Sequence, residues 1–166
     1  VKFELAMEIV ARFHDEAAAA AAKQEFISRF REGVMPEDMP EDWRQIELES
    51  GIGFAVPSGA VRAGGTAVDS DAGYFDGDGY RITYDYGRFG EDLGVHADAE
   101  GYTRSERRRN GHPIVEIGFV PTDEDFGWAR VLQIDLGRGR TLTVRVSCVS
   151  RDQCELADRV FESVTM

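Results

Sequence analysis

The stretch MPEDMPED at residues 35–42 divides the chain into two parts with different hydrophobic patterns. Before it, apolar residues recur at three- and four-residue spacing, which is the period of a helix face. After it, apolar and polar residues mostly alternate, which is the period of a strand. We therefore expect a boundary at this stretch, with one part at residues 1–42 and a second at residues 43–166.

The first part is predicted to be a helical hairpin. A first helix follows from the apolar spacing within residues 1–13, and a second from the alanine-rich run that continues to Phe30. Asp15 is a suitable N-cap for the second helix, while Gly33 and Pro36 stand where a helix should end. One apolar stripe of these helices must be buried, so self-association through helices 1–33 is a possible outcome.

The sequence of residues 1–41, VKFELAMEIVARFHDEAAAAAAKQEFISRFREGVMPEDMPE, resembles bacterial tyrosyl-tRNA synthetase. The resemblance is to the end of that enzyme's helical region, just before its small C-terminal RNA-binding domain. The HIGH-type and KMSKS signatures that the family's nucleotide-binding fold carries are absent from this sequence. The resemblance therefore implies no aminoacylation by this chain. The join at residue 42 is then a fusion, either natural or engineered.

The second part is predicted to be mainly antiparallel sheet, because turn signals separate its alternating runs. Residues 76–79 (DGDG) and Asn110-Gly111 supply the positive φ angles that tight hairpins require. The alternating segments on either side of residues 137–139 are the most apolar and should be the central strands. Pro113 suggests that the second arm of the Asn110-Gly111 hairpin starts at a sheet edge.

The connections are predicted from composition. Residues 57–65 have the small residues and proline of a loop, residues 66–69 are a possible strand, and residues 87–101 have no clear period and should be a mobile loop. Ser150, with Gln153 three residues on, should cap a final helix, after which residues 163–166 could form a short return strand. The predicted fold class is α+β: an N-terminal helical hairpin, then a mainly antiparallel sheet with a C-terminal helix packed on it.

Cys148 and Cys154 are the only two cysteines, and they bracket the turn between the last strand and the last helix. Their spacing allows the Cα separation of roughly 4.4–6.8 Å that a disulfide needs. A disulfide would place residues 43–166 outside the cytoplasm, in the periplasm or secreted. Two buried thiols would fit a cytoplasmic protein instead.

Composition and charge exclude several classes of partner. There are 19 Lys and Arg against 31 Asp and Glu, for a net charge of −12. A polyanion is repelled by phosphate backbones, so nucleic acid is disfavoured as a partner. No run reaches the roughly 20 apolar residues of a membrane-spanning helix.

Two clusters are candidate binding surfaces for a protein or a small ligand. The first is a tyrosine stripe at strand spacing, which is either a core face or a ligand platform: Tyr80, Tyr84 and Tyr86. The second is a basic run, which is either an edge-protecting hairpin tip or a site for an acidic surface or an anion: Arg107, Arg108 and Arg109.

The inventory for catalysis and cofactors is thin. The carboxylates of residues 69–78 could suit calcium, but the loop departs from the EF-hand pattern and turn chemistry explains the same residues. His14, His96 and His112 are not near any recognisable nucleophile motif. We therefore expect no metal site, no cofactor and no catalytic residues, and lean against an enzyme.

A second resemblance covers residues 43–166. The pieces GFAVPSGA at 53–60 and SCVSRDQCELADRVFESVTM at 147–166 are similar to small extracytoplasmic bacterial proteins and to the PsbP-like fold. The resemblance implies a non-enzymatic binding or accessory domain of unknown ligand. The alternatives are a small hydrolase using carboxylates of residues 87–101, and an RNA-related role of the synthetase-like segment.

Overall fold

The structure is a computed structural model, and it describes residues 42–48, 51–63, 70–88, 90–122 and 125–166. The helical hairpin predicted over residues 1–33 and the strand predicted at 66–69 lie outside these residues. Self-association through residues 1–33 stays a prediction.

Nine strands and one α-helix make up the regular structure of the described part. The strands are β1 Trp43–Glu47, β2 Gly53–Pro57, β3 Val61–Ala63, β4 Ser70–Gly77, β5 Tyr80–Gly87, β6 Thr103–Arg109, β7 His112–Phe119, β8 Trp128–Gly137 and β9 Arg140–Cys148. The helix α1 is Leu156–Glu162, and 3-10 turns occupy Leu93–His96 and Asp152–Glu155. Within the described residues, no helix has the length and apolar content that crossing a membrane requires.

The predicted α+β class is wrong for this structure, which is mostly antiparallel β-sheet with a single C-terminal helix in its described part. The helix predicted from Ser150 onward is shorter than expected. Its first turn is the 3-10 turn at Asp152–Glu155, and α1 itself has only seven residues. Cys154 lies within that first turn and is joined by a disulfide to Cys148 at the end of β9.

Seven strands form one antiparallel sheet in the order β3-β4-β5-β9-β8-β7-β6, and β1 and β2 form a separate hairpin. The strands predicted to be central, β8 and β9, are paired with each other inside the sheet, as expected. The edges are β3 and β6. The edge predicted at Pro113 is therefore wrong in part: β7 is covered by β6 and β8, although pairing with β8 begins only at Ile114.

The predicted hairpin turns are confirmed. Asn110 and Gly111 have φ angles of 51° and 85°, and Arg138 and Gly139 have φ angles of 55° and 68°. Both pairs therefore take the left-handed conformation that joins twisted strands through two residues. Val61–Ala63, predicted to be loop, is instead the short edge strand β3, because it pairs with residues 74–76 of β4.

The two faces of the seven-stranded sheet have different surroundings. The helix face, marked by Tyr84, Leu132 and Val144, is covered by α1 and by the β1–β2 hairpin, and it forms the larger hydrophobic core. The groove face, marked by Thr83, Val131 and Arg145, has a smaller core that the segment of residues 90–102 covers. That segment lies over β7 and β8, so the part of this face made by β5 and β9 is left for a site.

Candidate functional site

The tyrosine stripe lies on the helix face. Tyr84 and Tyr86 are 1% and 3% exposed and Tyr80 is partly buried. Tyr84 packs against Phe54 and Phe75, with ring centroids 5.5 and 6.0 Å away. This placement favours the interpretation of the tyrosine stripe as part of a core face.

The hydroxyl group of Tyr84 links β5 to its neighbours at the margin of the core. It accepts a hydrogen bond from Arg62 Nη2 at 2.8 Å and donates one to Asp71 Oδ1 at 3.2 Å. Burial, with the adjacent Asp71 carboxylate, raises the pKa of Tyr84 above its usual 10.0. The hydroxyl is thus a structural group that is held in its neutral form.

The basic run occupies the edge strand β6. Arg109 turns inward and donates to the last carbonyls of α1, at 3.2 Å to Phe161 O and 3.0 Å to Glu162 O. Burial, with repulsion from Arg107, lowers the pKa of Arg109 from its usual value. Arg107 and Arg108 remain exposed at the edge.

The disulfide between Cys148 and Cys154 is present, with the two Cα atoms 5.6 Å apart. Both cysteines are buried, and together they fasten the end of β9 to the turn that begins α1. No free cysteine remains in the described part of the chain. No group of three His, Cys, Asp or Glu side chains in that part could hold a metal ion.

A cavity of about 400 Å³ lies on the helix face between the outer strands and α1. At its centre, Arg130 is paired with Glu116 through Nη2 and with Asp158 Oδ1 through Nη1 at 2.7 Å. Arg151 stacks on Trp128 at 4.8 Å. These charges are matched to one another, so the cavity is best explained as an ion-paired support for α1.

The groove face carries a larger cavity, of about 560 Å³, over β5 and β9. This volume lies within the roughly 300–1,000 Å³ that small-molecule sites occupy. Arg81 is directly opposite Ser147, and Thr83 is directly opposite Arg145. The floor is therefore a two-by-two array in which guanidinium groups and hydroxyl groups occupy opposite diagonals.

The walls of this groove supply carboxylates and an aromatic ring. Glu91 comes from the segment after β5, and Asp125 and Phe126 come from the segment before β8. Arg81 lies near the rings of Tyr74 and Phe126, at 4.8 and 5.8 Å from their centroids. A ligand in the groove would meet donors on the floor and acceptors on the rim.

Arg81 is held in place by Asp76 on β4. Arg81 Nε donates to Asp76 Oδ1 at 2.6 Å, and Arg81 Nη2 donates to Oδ2 at 3.2 Å. This pair engages two of the five N–H donors of the guanidinium group and fixes its plane.

A third cavity, of about 370 Å³, adjoins the groove and shares Arg145 with it. Arg145 lies 5.4 Å from the ring of Phe119, and His96 stacks on the same ring at 4.0 Å. His96 Nε2 and Glu91 Oε1 are 2.8 Å apart. The Glu91–His96 pair therefore stands at the junction of the two cavities.

The wall made by residues 90–99 is anchored to the sheet, although the sequence predicts a mobile loop there. Gln133 Nε2 donates to Glu91 O at 2.8 Å, and Asp92 Oδ1 caps the 3-10 turn by accepting from Gly94 N at 2.9 Å. Leu93 is buried below the turn. Gly90 lies so close to the side chain of Gln133 that a Cβ atom at position 90 would be 2.8 Å from Gln133 Nε2.

Sequence reasoning missed all four residues of the groove floor. The available signal was the polar half of the alternation in β5 and β9, at Arg81, Thr83, Arg145 and Ser147. What the sequence does not contain is the pairing of these two strands, which are more than fifty residues apart.

Comparison with known proteins identifies part of the chain as similar to bacterial tyrosine–tRNA ligases. The identity is 53% over 72 residues for an enzyme of Vibrio cholerae and 66% over 72 residues for that of Colwellia psychrerythraea, each match covering 43% of this chain. The enzyme of Haemophilus influenzae is 63% identical over 41 residues, or 25% of this chain. The chain spans only 10–17% of the length of these three relatives.

The fold is similar to that of cyanobacterial PsbP (CyanoP) from Synechocystis, with a TM-score of 0.54. That match covers 80% of this chain and 97% of the other at 12% sequence identity, so it concerns the fold alone. No protein-family model matches the chain. The two resemblances inferred from the sequence are thus both confirmed.

Proposed function

We propose that residues 43–166 are a non-enzymatic, extracytoplasmic binding or accessory domain, and that the groove on β5 and β9 holds a small anionic ligand. The observation that carries this proposal is the floor of the groove. It sets Arg81 and Arg145 on one diagonal and the hydroxyl-bearing Thr83 and Ser147 on the other.

The chemistry of the floor and rim supports a particular ligand class. Guanidinium and hydroxyl groups donate hydrogen bonds to carboxylate or phosphate oxygens, and arginine forks match such groups in shape. Glu91 and Asp125 on the walls instead accept hydrogen bonds. A small anion that also carries hydroxyl or amino groups would satisfy both sets, whereas a fully apolar ligand would satisfy neither.

Calorimetric titration with gluconate and with its uncharged counterpart sorbitol tests the ligand class. Gluconate should bind, and sorbitol should bind at least about tenfold more weakly, because only gluconate has a carboxylate that can form an ion pair with the arginines. Arg145→Gln should weaken gluconate binding by a similar factor. Arg138→Gln, on the β8–β9 turn, is the matched control and should leave it unchanged. Equal binding of the two compounds would refute an anion site.

The extracytoplasmic location is supported by the Cys148–Cys154 disulfide, since such bonds persist in oxidising compartments. Alkylation of protein taken directly from its native cells, with and without prior reduction, is the test. We expect two modified cysteines after reduction and none before it. Two modified cysteines without reduction would place the domain in the cytoplasm.

We also propose that the chain is organised in two parts that meet near residue 42. The support is the change of hydrophobic pattern at residues 35–42, together with the ligase of Haemophilus influenzae, which matches only 41 residues of the chain. Limited proteolysis should cleave within residues 35–42 and leave residues 43–166 resistant. Cleavage first within the sheet would contradict the division.

A small hydrolase is the second candidate, favoured by the Glu91–His96 pair beside the groove. A carboxylate that orients a histidine is a common arrangement for a general base. Hydrolysis of p-nitrophenyl acetate that disappears in His96→Gln would support this candidate. Activity equal in wild type and variant would remove it.

An RNA-related role is a third candidate, favoured only by the synthetase-like sequence. The net charge of −12 opposes it, because phosphate backbones repel an acidic chain. Retention of tRNA on a filter by the whole chain at low salt would support this role. No retention at any salt concentration would end it.

A further inference from the structure

We propose that the outer edge of β6, which no described strand covers, binds an extended acidic segment of another protein, which adds to the sheet as an eighth strand. This surface is separate from the groove, because β6 lies at the far end of the sheet from β5. The inference therefore does not depend on the small-ligand proposal.

The first support is the geometry of the edge. β6 has seven residues and, among the described strands, pairs only with β7. All residues from Thr103 to Arg108 are exposed. An edge of this kind presents outward backbone N–H and C=O groups at alternate residues, which is the template for strand addition.

The second support is charge. β6 carries four arginines and one glutamate within seven residues, in a chain whose net charge is −12. A local charge of the opposite sign selects acidic partners and speeds their encounter.

Contacts within the chain show which of the four arginines of β6 remain available to a partner. Arg104 is engaged by Glu106, at 2.9 and 2.8 Å, and Arg109 is engaged by the carbonyls that end α1. Arg107 lies 3.5 Å from Glu116, a carboxylate that it shares with Arg130. Arg108 donates to a backbone carbonyl, that of Gly111, at 2.9 Å. Arg107 shares its carboxylate with Arg130, and Arg108 meets only a neutral carbonyl, so these two exposed arginines are the cations that a partner can neutralise.

These two arginines point to opposite faces of the sheet, because successive side chains of a strand alternate. A strand added beside β6 would have to present acidic side chains on both faces at neighbouring positions. The partner segment is therefore extended and carries two consecutive acidic residues.

A second copy of this chain is a poor occupant of the edge. Two β6 strands paired with each other would bring their arginine-rich sequences together, and like charges across a strand pair are destabilising. Nucleic acid offers anionic groups but has no backbone N–H and C=O groups that extend a sheet.

Synthetic peptides test the proposal on the whole chain. The probe is a nine-residue peptide of alternating Thr and Val with Glu-Glu at its centre, capped at both ends and labelled for fluorescence anisotropy. One control peptide has Gln-Gln instead, and another keeps Glu-Glu but has prolines on both sides, which cannot join a ladder. Binding is measured at about 0.05 M salt, where surface charges are weakly screened.

We expect the Glu-Glu peptide to bind about tenfold more tightly than the Gln-Gln peptide, and the proline peptide not to bind. Hydrogen exchange should show protection of β6 backbone amides in the complex. Arg107→Gln with Arg108→Gln should weaken binding about tenfold. Arg138→Gln with Arg159→Gln, which removes the same charge from other elements, should not.

Three results would overturn the proposal. The first is equal binding of the proline peptide, which would mean charge attraction without strand addition. The second is no binding of the Glu-Glu peptide, which would mean that the arginines only protect the edge. The third is tighter binding of polyuridylate than of the peptide, with loss in the Arg107→Gln, Arg108→Gln variant, which would make the edge a nucleic-acid site.

Discussion

At the scale of single residues, the β8–β9 turn contains a side chain that fits its backbone poorly. Arg138 has a φ angle of 55°, in the left-handed region that non-glycine residues rarely occupy. In the β6–β7 turn, Asn110 stands at the corresponding place with a φ angle of 51°. Asparagine tolerates this conformation better than arginine does.

Exchanging these residues gives a reciprocal prediction. Arg138→Asn should raise the free energy of unfolding by about 0.5–1 kcal/mol, because the turn becomes Asn-Gly. Asn110→Arg should lower it by a similar amount. Urea denaturation of both variants is the measurement, and a change of the same sign in both would contradict the explanation.

The buried Tyr84 predicts how stability depends on pH. Burial and the Asp71 carboxylate raise the pKa of Tyr84 above 10.0, and burial also raises the pKa of Tyr80. Above pH 10 the unfolded chain therefore loses tyrosine protons that the folded chain retains. Stability should be fully present below about pH 10 and should fall as pH rises above it.

Tyr84→Phe tests the assignment, because it removes one titrating group and two hydrogen bonds. At neutral pH the variant should be less stable by about 1 kcal/mol. In alkali, its free energy of unfolding should decline less steeply than that of the wild type. Parallel declines in urea denaturation series from pH 8 to pH 11 would show that Tyr84 is not responsible.

At the scale of elements, α1 is too short to be stable alone and depends on its attachments. One attachment is Ser163, which is 3% exposed. Its Oγ accepts from Ala55 N of β2 at 2.8 Å and donates to Val160 O at 2.7 Å. Ser163 therefore joins the helix to the β1–β2 hairpin inside the core.

Ser163→Ala should cost about 1–3 kcal/mol, because it leaves the buried N–H of Ala55 without its partner. Ser150→Ala is the control, since Ser150 is exposed and its hydrogen bond from Gln153 N is long, at 3.4 Å. The difference between the two variants in thermal or urea denaturation is the measurement. Equal losses would mean that the buried bond contributes nothing specific.

The disulfide is the other attachment of α1. Replacing Cys148 and Cys154 with serine should lower the free energy of unfolding by about 2 kcal/mol, the cost expected for releasing a short closed loop. The loss should also appear on reduction of the wild type. A reduced protein as stable as the oxidised one would show that packing alone holds α1 in place.

The elements differ in how far sequence predicts them. The turns at Asn110-Gly111 and Asp78-Gly79 could be located, because those residue pairs have a local conformational preference. The disulfide could be predicted too, since its cysteines are six positions apart. β3 could not, because its structure comes from pairing with β4. The floor of the groove could not be predicted for the same reason, since Arg81 and Ser147 become neighbours only through the pairing of β5 with β9.

At the scale of the whole molecule, the sequence predicted an α+β class, and the described structure is mostly β. The predicted α+β arrangement combined an N-terminal helical hairpin, a mainly antiparallel sheet and a C-terminal helix, whereas the described structure is mostly antiparallel sheet, with a seven-stranded sheet, a separate hairpin and one short helix. Among the described residues, the sheet packs α1 and the β1–β2 hairpin on one face and the segment of residues 90–102 on the other. This asymmetry leaves β5 and β9 open on the groove face.

Neither the synthetase-like sequence nor the PsbP-like fold assigns a function to this chain. The chain matches the tyrosine–tRNA ligases over a small share of their length, and it matches the cyanobacterial structure in fold at 12% identity. The proposed function therefore depends on the groove and not on either relative.

Mapping of ligand contacts by nuclear magnetic resonance tests that groove most directly. In a titration of isotope-labelled protein with gluconate, the account predicts that the largest amide shifts fall at Thr83 and Ser147 on the floor and at Glu91 and Phe126 on the walls. Residues of α1 and β6 should stay unshifted. Shifts confined to those other elements, or no saturable shift at all, would contradict the account.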